Sequence, residues 1–293
     1  MLQSFAQSLV SGLLVGGVYG LSAMGLSLVF GVTKFLNVAH GELLMIGGYV
    51  SFLVFSIIGV DPLLTIPLTL IILFLLGVAL YSGLFTRMVK MTEDVKIKNT
   101  LLVGFGLSVV LQNVALRLWT ADDRTITTSY SGSAFTLLGV RFPLVRLASL
   151  GIAVLFFVAV HIFLRKTYTG KAIRATVQDW EAATLMGINT NRVYLISFAM
   201  ASALAGLAGT LVAVDYSIDP AMGMAWTLKG LIVMVLGGLG SIMGAFVGGL
   251  ILGAAESVTA FFMGGTYREI VGLLIFLLVL SIRPQGLFGT KEG

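Results

Sequence analysis

The chain has 293 residues, 58% of them hydrophobic and 11% charged, with a mean hydropathy of +1.04. Soluble domains carry roughly 25% charged residues, so this chain cannot clothe a globular surface and reads as an integral membrane protein. A net charge of +5 fits the cytoplasmic excess of Lys and Arg on membrane proteins better than nucleic-acid binding, and the lack of cysteine excludes a disulfide scaffold or thiolate metal site.

At about 20 residues per crossing, roughly six to ten membrane segments fit. Residues 1–33 carry no charge and form the first. The opening MLQSFAQSLVSGLL lacks the basic n-region of a signal peptide and is expected to start the first helix. In KFLNVAHGELLMIGGY, Asn37, His40 and Glu42 adjoin an apolar run over 43–60. Asn37 and His40 have the i, i+3 spacing of one helix face, and ionisable groups at membrane depth usually face a cavity or a partner. The alternative is that they cap the helix at the cytoplasmic boundary, beside Lys34. Asp61-Pro62 marks a turn, and 62–86 form the next segment, ending at Arg87.

The loop 87–98 holds four basic and two acidic residues. Residues 99–116 cross next, with Gln112 and Asn113 expected to hydrogen-bond between helices. The stretch 121–146 is polar and aperiodic. Residues 147–164 cross again, and His161 is expected to be a packed or interfacial side chain. A polar island at 165–192 precedes the segment 193–214, which Asp215 and Asp219 cap. The glycine-rich stretch 226–283 ends at Arg283-Pro284, and within it Lys229 and Glu256 are expected to snorkel to an interface.

The basic loops 87–98 and 165–192 should be cytoplasmic, placing 121–146, Asp61 and Asp215–Asp219 on the far side. A single span over 228–254 would then leave Arg283 and Lys291 outside. A break in VLGGLGSIMGAF (235–246), at Gly237, Gly238 and Gly240, restores the parity, with half-segments 227–236 and 241–254 entering and returning. Irregular backbone at membrane depth persists only where protein or a cavity surrounds it, and broken helices recur in transporters. Small residues also repeat at intervals of four: Gly12, Gly16, Gly20; Gly240, Gly244, Gly248; Ala201, Ala205, Gly209. Such stripes let helix backbones approach closely.

The island GKAIRATVQDWEAATLMGINTNR (170–192) is the only compact polar stretch with helix signals. Thr176 and Asp179 have capping-box spacing, and Gly187 stands where a left-handed cap would close the helix. The roughly ten residues between them predict about 15 Å of helix, too short to span. Val177, Trp180 and Thr184 share a face, with Glu181 and Leu185 beside it. A capped cytoplasmic helix presenting a tryptophan predicts docking to another protein. Thr169-Gly170-Lys171 is a poor phosphate loop, because Arg165 occupies the required glycine position and no strand precedes it. No ATP binding, cofactor or metal is expected of this chain, and it does not read as an enzyme.

Three motifs in this order carry a resemblance over most of the chain. Glu181-Ala182-Ala183 followed by Gly187 resembles the EAA coupling loop of ABC importer permeases. GLSLVFGVTKFLNVAHGELLMIGGY (25–49) resembles the permease family for branched-chain amino acids, urea and short amides, with AHGE similar to the first of its two paired subunits. VLGGLGSIMGAFVGG resembles the family's glycine-rich segment. The resemblance implies an all-α, type II-like importer permease of about eight membrane segments, a single transmembrane domain over 1–293, in a bacterial inner membrane. It implies a second homologous permease subunit, two cytoplasmic ABC ATPases and a periplasmic or extracellular solute-binding protein. ATP would be hydrolysed on the partner, with Trp180, Glu181, Ala182, Ala183 and Gly187 at the ATPase contact. Asn37, His40, Glu42, Gly237, Gly238 and Gly240 would line the translocation path or brace the helix break. Urea or amide import is the alternative within the family. An ion-coupled secondary transporter is the alternative of another class, and Glu42 and Glu256 are its only candidate carboxylates.

Overall fold

The computed structural model describes residues 1–89, 91–137, 139–283 and 285–289. Lys90 and Lys291, both used in the orientation argument, and Pro284 lie outside the described residues. The chain folds into helices α1 (Leu2–Thr33), α2 (His40–Ile58), α3 (Ile66–Leu80, extended by tighter and wider turns to Met88) and α4 (Glu93–Trp119). A short antiparallel hairpin follows, β1 (Ala134–Leu137) and β2 (Val140–Pro143), then α5 (Leu144–Lys166), α6 (Tyr168–Gln178) and α7 (Trp180–Leu185). Helices α8 (Thr190–Asp215), α9 (Met222–Gly237), α10 (Ile242–Met263) and α11 (Arg268–Ile282) complete it. Among the described residues eight helical segments are long and apolar enough to cross a membrane, and α9 is a shorter apolar helix.

Helices α1 and α8 are buried along most of their length, and the other spans surround them. Lipid cannot supply a hydrophobic drive between helices, so close approach of small residues does the work. Along α1 and α10, a Cβ on Gly12 would strike the carbonyl of Gly253, one on Gly16 that of Gly249, and one on Gly20 that of Phe246. The two helices therefore run antiparallel with their backbones in contact. Helix α2 crosses α8 where Gly47 meets Gly206 and Gly209 meets Leu44. Helix α3 descends α8 through Thr210–Thr69 and Tyr81–Asn191 hydrogen bonds of 3.4 and 3.0 Å.

The expected far-side elements share one end of the bundle. Gln7 of α1 donates to the carbonyl of Arg141 at 2.8 Å and accepts from its amide at 2.7 Å, so the α1 N-terminus sits against the hairpin. Tyr130 donates to Asp61 at 2.7 Å, and Arg124 pairs its backbone with Ile218. A cysteine placed at Ser131 in this cysteine-free chain should therefore react with an impermeant maleimide added outside whole cells. Labelling only after the membrane is opened would reverse the topology.

The helix break is present, but its two arms are unequal. The chain turns at 238–241 with Gly238 and Gly240 at φ 109° and 82°, a region that side chains with a Cβ enter at a cost. Helix α9 has 16 residues, but α10 has 22, about 33 Å of helix and enough to span. The expected second half-segment is thus a complete crossing. The expected end at 254 falls nine residues short of Met263, the last residue of α10. The turn lies beside Gly31, near the end of α1. The tail closes it, because the amides of Leu287 and Phe288 donate to the carbonyls of Leu236 and Gly237 at 2.9 and 3.0 Å. Those are orphan acceptors of the α9 C-terminus.

Candidate functional site

Two regions gather the candidate residues: a polar knot inside the bundle and the short helix at the end expected to be cytoplasmic. The knot starts from an irregular segment. Helix α1 ends at Thr33, Lys34 caps it in left-handed conformation, and residues 34–39 are not helical. They bring His40, the first residue of α2, against the middle of α1, where its Nε2 lies 3.0 Å from the Ser22 carbonyl. Ser22 precedes the end of α1 by about three turns, or roughly 16 Å. The alternative reading, a cap at the cytoplasmic boundary, gives way to a helix that begins deep in the protein.

Asn37, 2% exposed, lies in the turn before α2 and not on its face. Its Oδ1 accepts from the Ala39 amide at 3.1 Å. The shared-face expectation for Asn37 and His40 fails because the helix starts only at His40. Thr227 of α9 accepts from the Gly41 amide at 2.8 Å and donates to the Val38 carbonyl at 2.9 Å, tying both sides of the turn to α9. Glu42 is 1% exposed and accepts from Ser108 of α4 at 2.9 Å, while its second carboxyl oxygen has no partner. Its carboxyl packs on Gly223, where a Cβ would overlap it. The knot thus joins α2, α4 and α9 and carries one unused acceptor, in a region where unsatisfied polar groups are costly. Thr227, Ser108 and Gly223 stand in ordinary apolar runs, and no local signal sets them apart.

Gly237 faces Gly244 across a contact that leaves no room for a Cβ, and Gly240 faces Gly31 in a tight approach. These glycines hold the break and do not join Asn37, His40 and Glu42 in one constellation. Gln112 and Asn113 do not bridge helices as expected. Asn113 is exposed and its Nδ2 donates to Val109 of its own helix at 2.8 Å.

Lys229 and Glu256 do not snorkel. Glu256 is 1% exposed and accepts from Lys229 Nζ at 3.0 Å, Arg268 Nε at 2.9 Å and Tyr19 Oη at 3.0 Å. One carboxylate thus joins α1, α9, α10 and α11. Burial of the carboxylate demands partners, and they come from positions 12, 27 and 237 residues away.

At the end of the bundle opposite the hairpin the island forms two helices, not one. Thr176 lies inside α6 and donates to the Ala172 carbonyl at 2.9 Å, so it does not open the next helix. Asp179 does, its Oδ1 accepting from the Glu181 and Ala182 amides at 2.9 Å each. Helix α7 is six residues long, shorter than expected. It closes through Gly187 N–H to the Thr184 carbonyl and Ile188 N–H to the Ala183 carbonyl, both 3.0 Å, with Gly187 at φ 82°. Ala183 is buried against the bundle, so it cannot offer its face to a partner. Val177 belongs to α6, not to α7, and lines a cleft beside Arg174. Trp180, Leu185 and Met186 are exposed by 56%, 88% and 83%, and Glu181 and Ala182 are exposed beside them. Three large apolar side chains outside the spans make an interaction surface.

The family model described as "Branched-chain amino acid transport system / permease component" matches residues 8–280. The chain is 31% identical to the high-affinity branched-chain amino acid transport permease BraD of Pseudomonas aeruginosa, covering 98% of this chain and 97% of BraD. It is also 31% identical to the permease LivH of Escherichia coli K12, covering 98% and 96%. Among solved structures it is similar to PsaBC from Streptococcus pneumoniae in complex with Fab, at a TM-score of 0.52 and 15% identity, covering 97% of each chain. That likeness concerns the fold.

Proposed function

The chain belongs to the branched-chain amino acid transport permease family, and on that premise we propose that it is one permease half of an ATP-driven importer for branched-chain amino acids. It is a transport permease and not an enzyme, a multi-pass protein of the inner membrane with the type II-like importer fold. The family works with ATPases and a solute-binding protein. In the proposed assembly the chain, a single domain over 1–293, pairs with a second homologous permease subunit, two cytoplasmic ABC ATPases and one binding protein on the far side. ATP hydrolysis takes place on the ATPases.

The observation that carries the coupling role is the capped helix α7 with Trp180, Leu185 and Met186 exposed on the cytoplasmic end. Trp180, Glu181 and Ala182 make the ATPase contact, Ala183 anchors the helix to the bundle, and Gly187 sets where it ends. Asn37, His40 and Glu42, with Thr227, brace the deep start of α2 beside the path, and Gly237, Gly238 and Gly240 brace the break. The substrate assignment is supported by the family description and the relatives' names.

The reconstituted complex tests both parts. Uptake should favour leucine, isoleucine and valine over urea and short amides, and the reverse order would move the substrate class. Nothing lies within 4 Å of a Cβ built on Gly187, so Gly187→Val strains only the backbone, by about 1–3 kcal/mol. The variant should insert normally yet lose about tenfold or more of substrate-stimulated ATP hydrolysis. Full stimulation in Gly187→Val, together with no crosslink from a cysteine at Glu181 to the ATPase, would exclude α7 as the coupling element.

A further inference from the structure

A cleft of about 350 Å³ opens where the cytoplasmic ends of α1 and α5 meet α6 and the start of α10. Its walls are mostly apolar, with Leu28 and Val32 of α1, Leu164 of α5, Ile173 of α6 and Met243 of α10, and His161 and Gln178 also reach it. Arg165 and Arg174 also line it, and both are exposed. Among the described residues no carboxylate lies within ion-pair distance of either. Helix α6 explains the arrangement. It turns Ala172, Ile173 and Thr176 inward and leaves Lys171 and Arg174 outward, as an amphipathic helix at a membrane surface does.

An apolar slot that meets two unpaired guanidinium groups at the cytoplasmic membrane boundary has the complement of an anionic phospholipid. We infer that this cleft binds one such lipid, its phosphate held between Arg165 and Arg174 and an acyl chain laid against Leu28, Val32 and Met243. Guanidinium groups bind phosphate in bidentate fashion, and basic pockets between transmembrane helices on this side recruit anionic head groups. Gly240 of the helix break also lines the cleft, and α6 leads within two residues into α7. The lipid therefore touches both the broken helix and the segment that reaches the proposed coupling surface. The inference does not depend on the transported solute.

The test uses the full chain, purified in detergent with its co-purifying subunits and titrated with phosphatidylglycerol or phosphatidylcholine. Retained lipid is read by native mass spectrometry, and the unfolding midpoint is measured in parallel. Each arginine near an anionic surface contributes about fivefold in affinity, so the preference for phosphatidylglycerol should be roughly twentyfold to thirtyfold. Arg165→Gln/Arg174→Gln should bring the ratio close to one, whereas Arg165→Lys/Arg174→Lys should keep most of it. Arg87→Gln/Lys98→Gln removes the same charge from the other basic loop and should leave the preference intact. Equal binding of the two lipids by the wild type would overturn the proposal, as would a preference that survives Arg165→Gln/Arg174→Gln or is lost equally in Arg165→Gln/Arg174→Gln and Arg87→Gln/Lys98→Gln. Crosslinking of Met243→Cys to a second permease subunit would assign the cleft to a protein interface instead.

Discussion

Glu256→Ala should lower the stability of the folded chain by about 3–5 kcal/mol, the range found when one member of a buried ion pair is removed. The loss arises from what remains behind. Lys229 and Arg268 both aim at the Glu256 carboxylate, from 3.0 and 2.9 Å, and Tyr19 donates to the same group. Lys229 also sits 5.1 Å from the centre of the Tyr19 ring, and Arg268 Nη2 reaches Tyr19 Oη at 3.2 Å. Without the carboxylate two cations face each other across α9 and α11 in a region of low dielectric, where unpaired charge is costly. Adding Lys229→Met should recover part of the loss, because one cation can still use the tyrosine. Thermal unfolding in detergent reads both variants. A wild-type midpoint for Glu256→Ala would mean that water already screens the cluster, and failure of Lys229→Met to recover anything would argue against repulsion as the cause.

Gly209→Leu should be comparably severe and for a steric reason. A Cβ at 209 overlaps the Leu44 carbonyl oxygen and crowds the Gly48 amide. Both are backbone atoms, which cannot rotate out of the way as a side chain could. Helices α2 and α8 must separate, and the neighbouring Gly47–Gly206 contact is lost with them. Overpacking typically costs about 1–3 kcal/mol and occasionally more, and with backbone on both sides this site belongs at or above the upper end. Because α2 also carries His40 and Glu42, the shift would displace the polar knot. Gly106→Leu is the matched control: nothing lies within 4 Å of its Cβ position, and it is exposed. Monodisperse yield and unfolding midpoint should fall for Gly209→Leu and hold for Gly106→Leu. Equal behaviour of the two would remove close backbone approach as the basis of the α2–α8 crossing.

Much of this protein is written locally in its residues. Charge scarcity identifies a membrane chain because bilayer burial tolerates few ions. The basic loops orient it, and the stripe at Gly12, Gly16 and Gly20 marks the face that meets α10. Gly187 is readable as a helix end because only a few residues enter positive φ cheaply. The glycines of 237–240 announce an interruption for the same reason. All of these signals act over a few residues, within one turn or one span.

What required the tertiary structure is depth and pairing. That Asn37, His40 and Glu42 lie well inside the bundle follows from six non-helical residues running back along α1, and no periodicity encodes that path. Thr176 could cap a helix by spacing alone, but its hydroxyl bonds back to Ala172 and leaves the role to Asp179, a choice between two local hydrogen bonds that the packing of α6 decides. Glu256 looks like a snorkelling residue until Tyr19, 237 positions away, and Arg268 converge on it. Ala183 belongs to a motif that suggests an outward face, yet it turns into the bundle. In each case the sequence by itself determined the chemical type of the group. Its partner was decided by helices brought together from far apart in the chain, because a buried polar atom must find a partner wherever the fold provides one.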